Sequence, residues 1–199
     1  METRIEEEPS DAAVSLARAF HRDAMFTYIL PSAAKRERVL PWFFGAAMKL
    51  GRRRGEVHEA PGGSGAAIWL SPGNTDLGPA DFLHSGLALA PAKFGPAAFR
   101  RFVKLTTKFE QARDAVVSDP FWHLFILGIA PTSQRAGAGG RLIAPVLARA
   151  DEAGHACYLE TTEADNLPFY ERHGFAVAAD EAHPGQPRFW AMVRPPVRP

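Results

Sequence analysis

The sequence predicts a mixed α/β fold, a sheet carrying helices on its faces. Three observations lead there. Apolar residues recur at helical spacing through much of the first half; a glycine-rich turn joins two short strand patterns within residues 55–70; and the last third alternates strand, helix, strand, helix, strand, strand. The chain has 199 residues, which fits one domain, with at most an inserted helical cap, so residues 1–199 are expected to fold together. A core of that size is stable without disulfide or structural metal.

Ser10 is the expected N-cap of a helix over residues 11–20, where Val14, Leu16, Ala17 and Phe20 form an apolar face. A second apolar stretch, 25–30, stops at Pro31. A third runs over 33–50, interrupted by Pro41 and ended by Gly51. Strand patterns over 55–60 and 66–70 flank Pro61-Gly62-Gly63-Ser64-Gly65, a composition suited to a hairpin turn. Residues 71–95 are rich in Gly, Pro and Ala and read as a loop with a short helix. Helical spacing returns over 96–117 through Phe99, Phe102, Val103, Leu105 and Phe109. Residues 122–129 form an apolar strand, and 137–153 a helix that turns Leu142, Ile143, Val146 and Leu147 inward. Residues 156–161 form a second buried strand, and 166–173 a short helix closed by Gly174. Residues 175–179 and 188–193 pair as closing strands.

Charge and cysteine content narrow the function classes. A net charge of +1 gives no reason to expect nucleic acid or an anionic membrane as partner. The Arg52-Arg53-Arg54 run reads as a solvated turn after a helix. Cys157, the single cysteine, sits in an apolar run as a small buried hydrophobe, and no Cys/His cluster has zinc spacing, so no metal is expected. The acidic stretch over residues 1–9 lacks the apolar core of a leader, and no stretch approaches the ~20 apolar residues of a membrane span; a cytoplasmic location is expected.

The chemistry concentrates in Gln134-Arg135-Ala136-Gly137-Ala138-Gly139-Gly140, between a strand and a helix. Glycines at a helix start let the backbone approach a ligand closely, and the free N–H groups of the first turn favour an anion there. Arg135 and Arg141 add positive charge. A ligand-free glycine turn is the plain alternative. A Walker loop would need Gly-Lys-Ser/Thr where Gly140-Arg141-Leu142 stands, and a dinucleotide loop would need glycine at Leu142.

Gln134, Gly137 and Gly139 match Gln/Arg-x-x-Gly-x-Gly/Ala, which resembles the acetyl-CoA pyrophosphate loop of the GNAT superfamily of N-acetyltransferases. The preceding Leu127-Gly128-Ile129-Ala130-Pro131 is similar to that family's fourth strand. Leu159-Glu160-Thr161-Thr162 and Asn166-Leu167-Pro168-Phe169-Tyr170-Glu171-Arg172-His173-Gly174-Phe175 are similar to its fifth strand and following helix. Pro145 inside the helix, the Asn-Leu-Pro-Phe-Tyr-Glu-Arg string and Gly185-Gln186-Pro187-Arg188-Phe189-Trp190 narrow the resemblance to puromycin N-acetyltransferase and its relatives. It covers residues 122–194, the expected cofactor-binding core. The resemblance implies a mixed, mostly antiparallel sheet whose central parallel strands splay apart, with acetyl-CoA as co-substrate. Leu127, Gly128 and Ile129 would pair with pantetheine. Residues 134–140, with Arg141, Asn166, Phe169 and Tyr170, would complete the cofactor contacts.

Acetyl transfer to an amine needs a neutral nitrogen, a polarised thioester and a proton for the leaving thiolate. Tyr170 is the candidate acid, with packing beneath the cofactor as its plain alternative. Asn166 reads as a cofactor contact or a helix cap. His123 is the candidate base, since imidazole titrates near neutrality, against a role as a satisfied strand histidine. Glu160 is a second candidate base or an orienting carboxylate, and His84 has no assignable role. The expected acceptor is the primary amine of a small molecule, of the antibiotic or xenobiotic kind, on a monomer or homodimer. The alternatives are a protein N-terminal or lysine acetyltransferase, and a non-catalytic acyl-CoA sensor. Phe20, Phe26, Trp42, Phe43 and Phe44 are core residues by default and the candidate wall of an apolar acceptor pocket.

Overall fold

The computed structural model describes residues 8–118, 120–134 and 137–197. Helix α1 (Asp11–Ala19) begins at the expected cap, where the Ser10 hydroxyl accepts the Ala13 N–H at 3.3 Å. Helix α2 (Ala24–Ile29) is capped by Asp23, whose carboxylate accepts the Met25 and Phe26 N–H groups at 2.9 and 3.4 Å. Helix α3 (Ala33–Arg54) departs from expectation by continuing through Pro41 and past Gly51. Leu40, Phe43, Phe44 and Ala47 are buried on either side of the proline, and that packing outweighs its lost hydrogen bond. Gly51 is there for contact: a Cβ would run into Ile68 of the sheet. The three arginines end the helix, where cations suit its dipole, and Arg52 and Arg54 pair with Glu59 and Asp81 at 2.6 and 3.2 Å.

Strands β1 (Gly55–Glu59) and β2 (Gly65–Leu70) form the predicted hairpin, with Gly62 and Gly63 of its turn at φ of 64° and 63°. Residues 71–95 hold more helix than expected, α4 (Pro79–Ser85) and α5 (Ala90–Phe94), and α6 (Pro96–Val116) follows. The remainder matches the predicted alternation: β3 (Phe121–Ile129), α7 (Ala138–Ala153), β4 (Ala156–Thr161), α8 (Leu167–Glu171), β5 (Ala176–Glu181) and β6 (Phe189–Arg194). The sheet order is β1-β2-β3-β4-β6-β5, and only the central β3–β4 pair is parallel. The fold is therefore α/β, with a mixed, mostly antiparallel sheet flanked by helices.

Each face of the sheet carries its own core. On one face α1, α3 and α6 bury Leu16, Phe44 and Leu105 against Ile68, Ile126 and Phe189. On the other, α7 buries Leu142, Ile143 and Val146 against Trp69, Trp122 and Leu159. Pro145 lies on the exposed side of α7, so the carbonyl it leaves unbonded faces solvent rather than the core. Cys157 is fully buried in the second core, and burial pushes its thiol up to about 12. Among the described residues, no helix is long and apolar enough to cross a membrane.

Candidate active site

Strand β3 changes phase halfway. Ile68 pairs with Ile126, but Trp69 pairs with Leu124, so Phe125 is an extra residue, a bulge. Because side chains alternate with period two, one inserted residue puts His123 and Gly128 on the same face. Gly128 there meets α1: a Cβ would lie 2.8 Å from both Leu16 and Phe20. Its close neighbour is thus a helix of its own chain.

Pairing between β3 and β4 covers only Phe121–Ala156, Trp122–Cys157 and His123–Tyr158. Beyond His123 no β3–β4 pair forms, which leaves the β4-facing backbone of β3 without a strand partner. At the last paired position, His123 Nε2 lies 2.9 Å from Glu160 Oε2, with the two side chains only 7% and 14% exposed. His123 Nδ1 and the Tyr158 hydroxyl are buried with no hydrogen-bond partner among the described residues.

These groups border a cavity of about 350 Å³, within the range that holds a small molecule. The three candidate catalytic residues, Tyr170, His123 and Glu160, all line it. Phe20, Phe26, Phe43, Phe44 and Phe102 form much of the remaining wall. Burial, with the charges of Asp23 and Glu160, holds the Tyr170 phenol well above its ordinary range. The phenol is a weaker acid, though one always protonated.

The expected cofactor residues divide into two groups. Leu127, Asn166 and Tyr170 line the cavity. Asn166 precedes α8 but makes no side-chain cap bond, which leaves its amide to the cavity. Ile129 is buried in the α7-side core, and its carbonyl accepts Gln134 Nε2 at 3.1 Å. Gly137 is the N-cap of α7 with φ of 71°, and Ala138, Gly139 and Gly140 form its first turn. Arg141 is exposed beside them. A Cβ on Gly139 would lie 3.2 Å from the Phe169 ring, and one on Gly140 3.0 Å from His173. Those two glycines therefore let α7 close on α8, a structural reason independent of any ligand. Arg135 and Ala136 lie outside the described residues. His84 is bonded to the Ala80 carbonyl at 2.6 Å and is not on the cavity.

Asp23 was missed from sequence because an aspartate before a helix reads as a cap. It lines the cavity as well. Burial and the neighbouring Glu163 charge raise its carboxyl to about 6, against the lowering effect of its bonds to Phe26, Met25 and Thr162.

A family model described as the Acetyltransferase (GNAT) family matches residues 82–175. An uncharacterized N-acetyltransferase of Schizosaccharomyces pombe is 27% identical, over 82% of this chain and 69% of the relative. A crystal structure described as histone acetyltransferase HPA2 and related acetyltransferase, from Corynebacterium glutamicum, superposes over 100% of this chain and 96% of that one. Its TM-score is 0.66 at 20% identity. Arylalkylamine N-acetyltransferase 2 from Aedes aegypti superposes over 98% and 97% of the two chains, with a TM-score of 0.58 at 14% identity. The strand similar to that family's fourth is the third among the described residues of this chain.

Proposed function

We propose that this chain is a GNAT-type N-acetyltransferase that transfers the acetyl group of acetyl-CoA to the primary amine of a small molecule. One observation carries the reading: His123, Glu160 and Tyr170 share a single cavity of small-molecule size at the end of the β3–β4 pairing. That end of the pairing fits the acetyl-CoA arm, because β3 offers backbone groups without a β4 partner there. The first turn of α7, with its free N–H groups, suits the pyrophosphate.

In this reading His123, held by Glu160, accepts the proton that leaves the acceptor nitrogen. Tyr170 gives its hydroxyl proton to the departing sulfur. The buried, protonated Cys157 is poorly suited to carry an acyl group, which supports direct attack by the amine. An acceptor with an aromatic body matches the phenylalanine wall and is of the kind for which the mosquito arylalkylamine N-acetyltransferase is named. The test is CoA release from acetyl-CoA across a panel of aryl, alkyl and peptide amines. Acetyl-CoA binding without CoA release on any amine would instead make the chain an acyl-CoA sensor.

A further inference from the structure

We infer that Asp23 is the residue that recognises the acceptor, its carboxylate receiving the amine as an ammonium borne on an aromatic or aliphatic body. The inference rests on the acetyl-transfer reading for the reaction, though its evidence is the geometry around Asp23.

Asp23 lies between α1 and α2. Its Oδ1 takes both cap bonds of α2, from Met25 and Phe26. Its Oδ2 has only the Thr162 hydroxyl, at 3.3 Å. The adjacent charge is another carboxylate, Glu163, whose Oε1 accepts the Ala24 N–H at 2.7 Å. Among the described residues, no Lys, Arg or His forms an ion pair with either carboxylate, and the leading influences on the Asp23 carboxyl are its burial, the Glu163 charge and its own hydrogen bonds. Two ionised carboxylates beside one another, partly buried and without a counter-ion, are unfavourable unless one takes up a proton or a cation arrives, and at about pH 8 the proton is scarce.

A cap does not need that charge. Asn and Ser cap as well as Asp, so a helix start alone leaves the carboxylate unexplained. The position supplies the explanation: Asp23 shares the cavity wall with Tyr170, Glu160 and His123. His123 is only 5% exposed, and its Nδ1 has no hydrogen-bond partner among the described residues. An unpartnered imidazole nitrogen and a carboxylate without an ion pair thus border one cavity, whose wall also carries Phe20, Phe26, Phe43 and Phe44 and, on α6, an Arg113 already paired with Asp76 and Asp114. Phenylalanine faces also attract a cation. An alkyl or arylalkyl ammonium suits the carboxylate and the apolar wall together.

The test compares amines with alcohols of the same shape, 2-phenylethylamine with 2-phenylethanol and hexylamine with hexanol. Binding is measured by calorimetry at about pH 8 in the presence of CoA. The parent should bind the better amine about tenfold or more tightly than its alcohol, as expected of a charged hydrogen bond. Asp23→Asn and Asp23→Ser keep the helix cap and should lose that preference, while binding the alcohols and CoA as the parent does. No amine preference in the parent, no measurable amine binding by it, or an amine preference that survives in both variants would each overturn the inference. A parent that fails to bind CoA would sink the acetyl-transfer reading, while the amine comparison would still read on Asp23.

Discussion

The Tyr170 phenol is held protonated by burial and by the negative charges of Asp23 and Glu160. A donor must be protonated when the thiolate leaves, and this one is, at every working pH. Tyr170→Phe keeps the ring and deletes the proton. If the hydroxyl serves the leaving sulfur, kcat should fall by about 10²–10⁴-fold with acetyl-CoA affinity little changed. A full-speed Phe variant would return the residue to packing. Asp23 makes a prediction about stability. Its carboxyl binds a proton more tightly in the folded chain, at about 6, than at its ordinary 3.8. Its support for the fold is therefore complete below about pH 4 and lost as pH rises through about 6, to the extent of roughly 3 kcal/mol at most. Asp23→Asn should remove that slope, so thermal melts should show the variant matching or exceeding the parent at about pH 8 and losing the advantage near pH 4. A variant less stable than the parent at both pH values would mean that the carboxylate is a favourable structural charge.

Among the elements, the hairpin, the long helix α6 and the β3–α7–β4 alternation were legible because each has one strong period bounded by turn residues. Two devices were not. The bulge at Phe125 has no signature in an apolar run, since the slip shows only in the partner's register, yet it sets which face His123 shares with Gly128. Gly51 read as a helix stop because its true partner, Ile68, lies across the sheet. The glycine loop was read correctly as a helix start, but for one reason where the structure supplies two. Gly139 and Gly140 admit Phe169 and His173, whereas Gly137 adopts a left-handed φ of 71° that other residues resist. A substitution at Gly137 therefore costs backbone strain whether or not an anion binds. Comparing Gly137→Gln with Gly137→Glu separates the effects. Both should melt earlier by a similar margin, about 1–2 kcal/mol of stability. Only the Glu variant places a like charge near a pyrophosphate, so it should bind acetyl-CoA about tenfold more weakly than the Gln variant, with a gap that narrows in salt. Equal affinities would move the pyrophosphate away from this helix.

At the scale of the whole molecule, the last third of the sequence announced the sheet and its central strands, while the acceptor side stayed obscure. The cavity is assembled from α2, α3, α6 and α8 together with β2, β3 and β4 and the turn holding Phe20 and Asp23, so its lining is a property of tertiary packing that no single stretch displays. Phe20, Phe26, Phe43 and Phe44 were read as core first and pocket wall second, and they serve as both, buried against each other with part of their surface on the cavity. Charge is distributed unevenly in this space. At the rim, Asp76 and Asp114 are already paired with Arg113, at 2.9 and 2.8 Å. Glu160 is engaged with His123. Glu110 is exposed on the same side, near Arg113, so among the partly buried lining carboxylates Asp23, with Glu163 behind it, is the place where a cation gains most, with an apolar wall beside it. A single ammonium on an apolar body satisfies both features. A polyamine or an aminoglycoside must instead strip water from further charges against phenylalanine, at a cost of several kcal/mol for each charge left unpaired. The specificity constant for 2-phenylethylamine should therefore exceed those for spermidine and kanamycin by about tenfold or more in a CoA-release assay, with the difference shrinking in Asp23→Asn as the monoamine loses its anchor. A preference for the polycations would place the acceptor at the acidic rim and leave the phenylalanine wall as ordinary core.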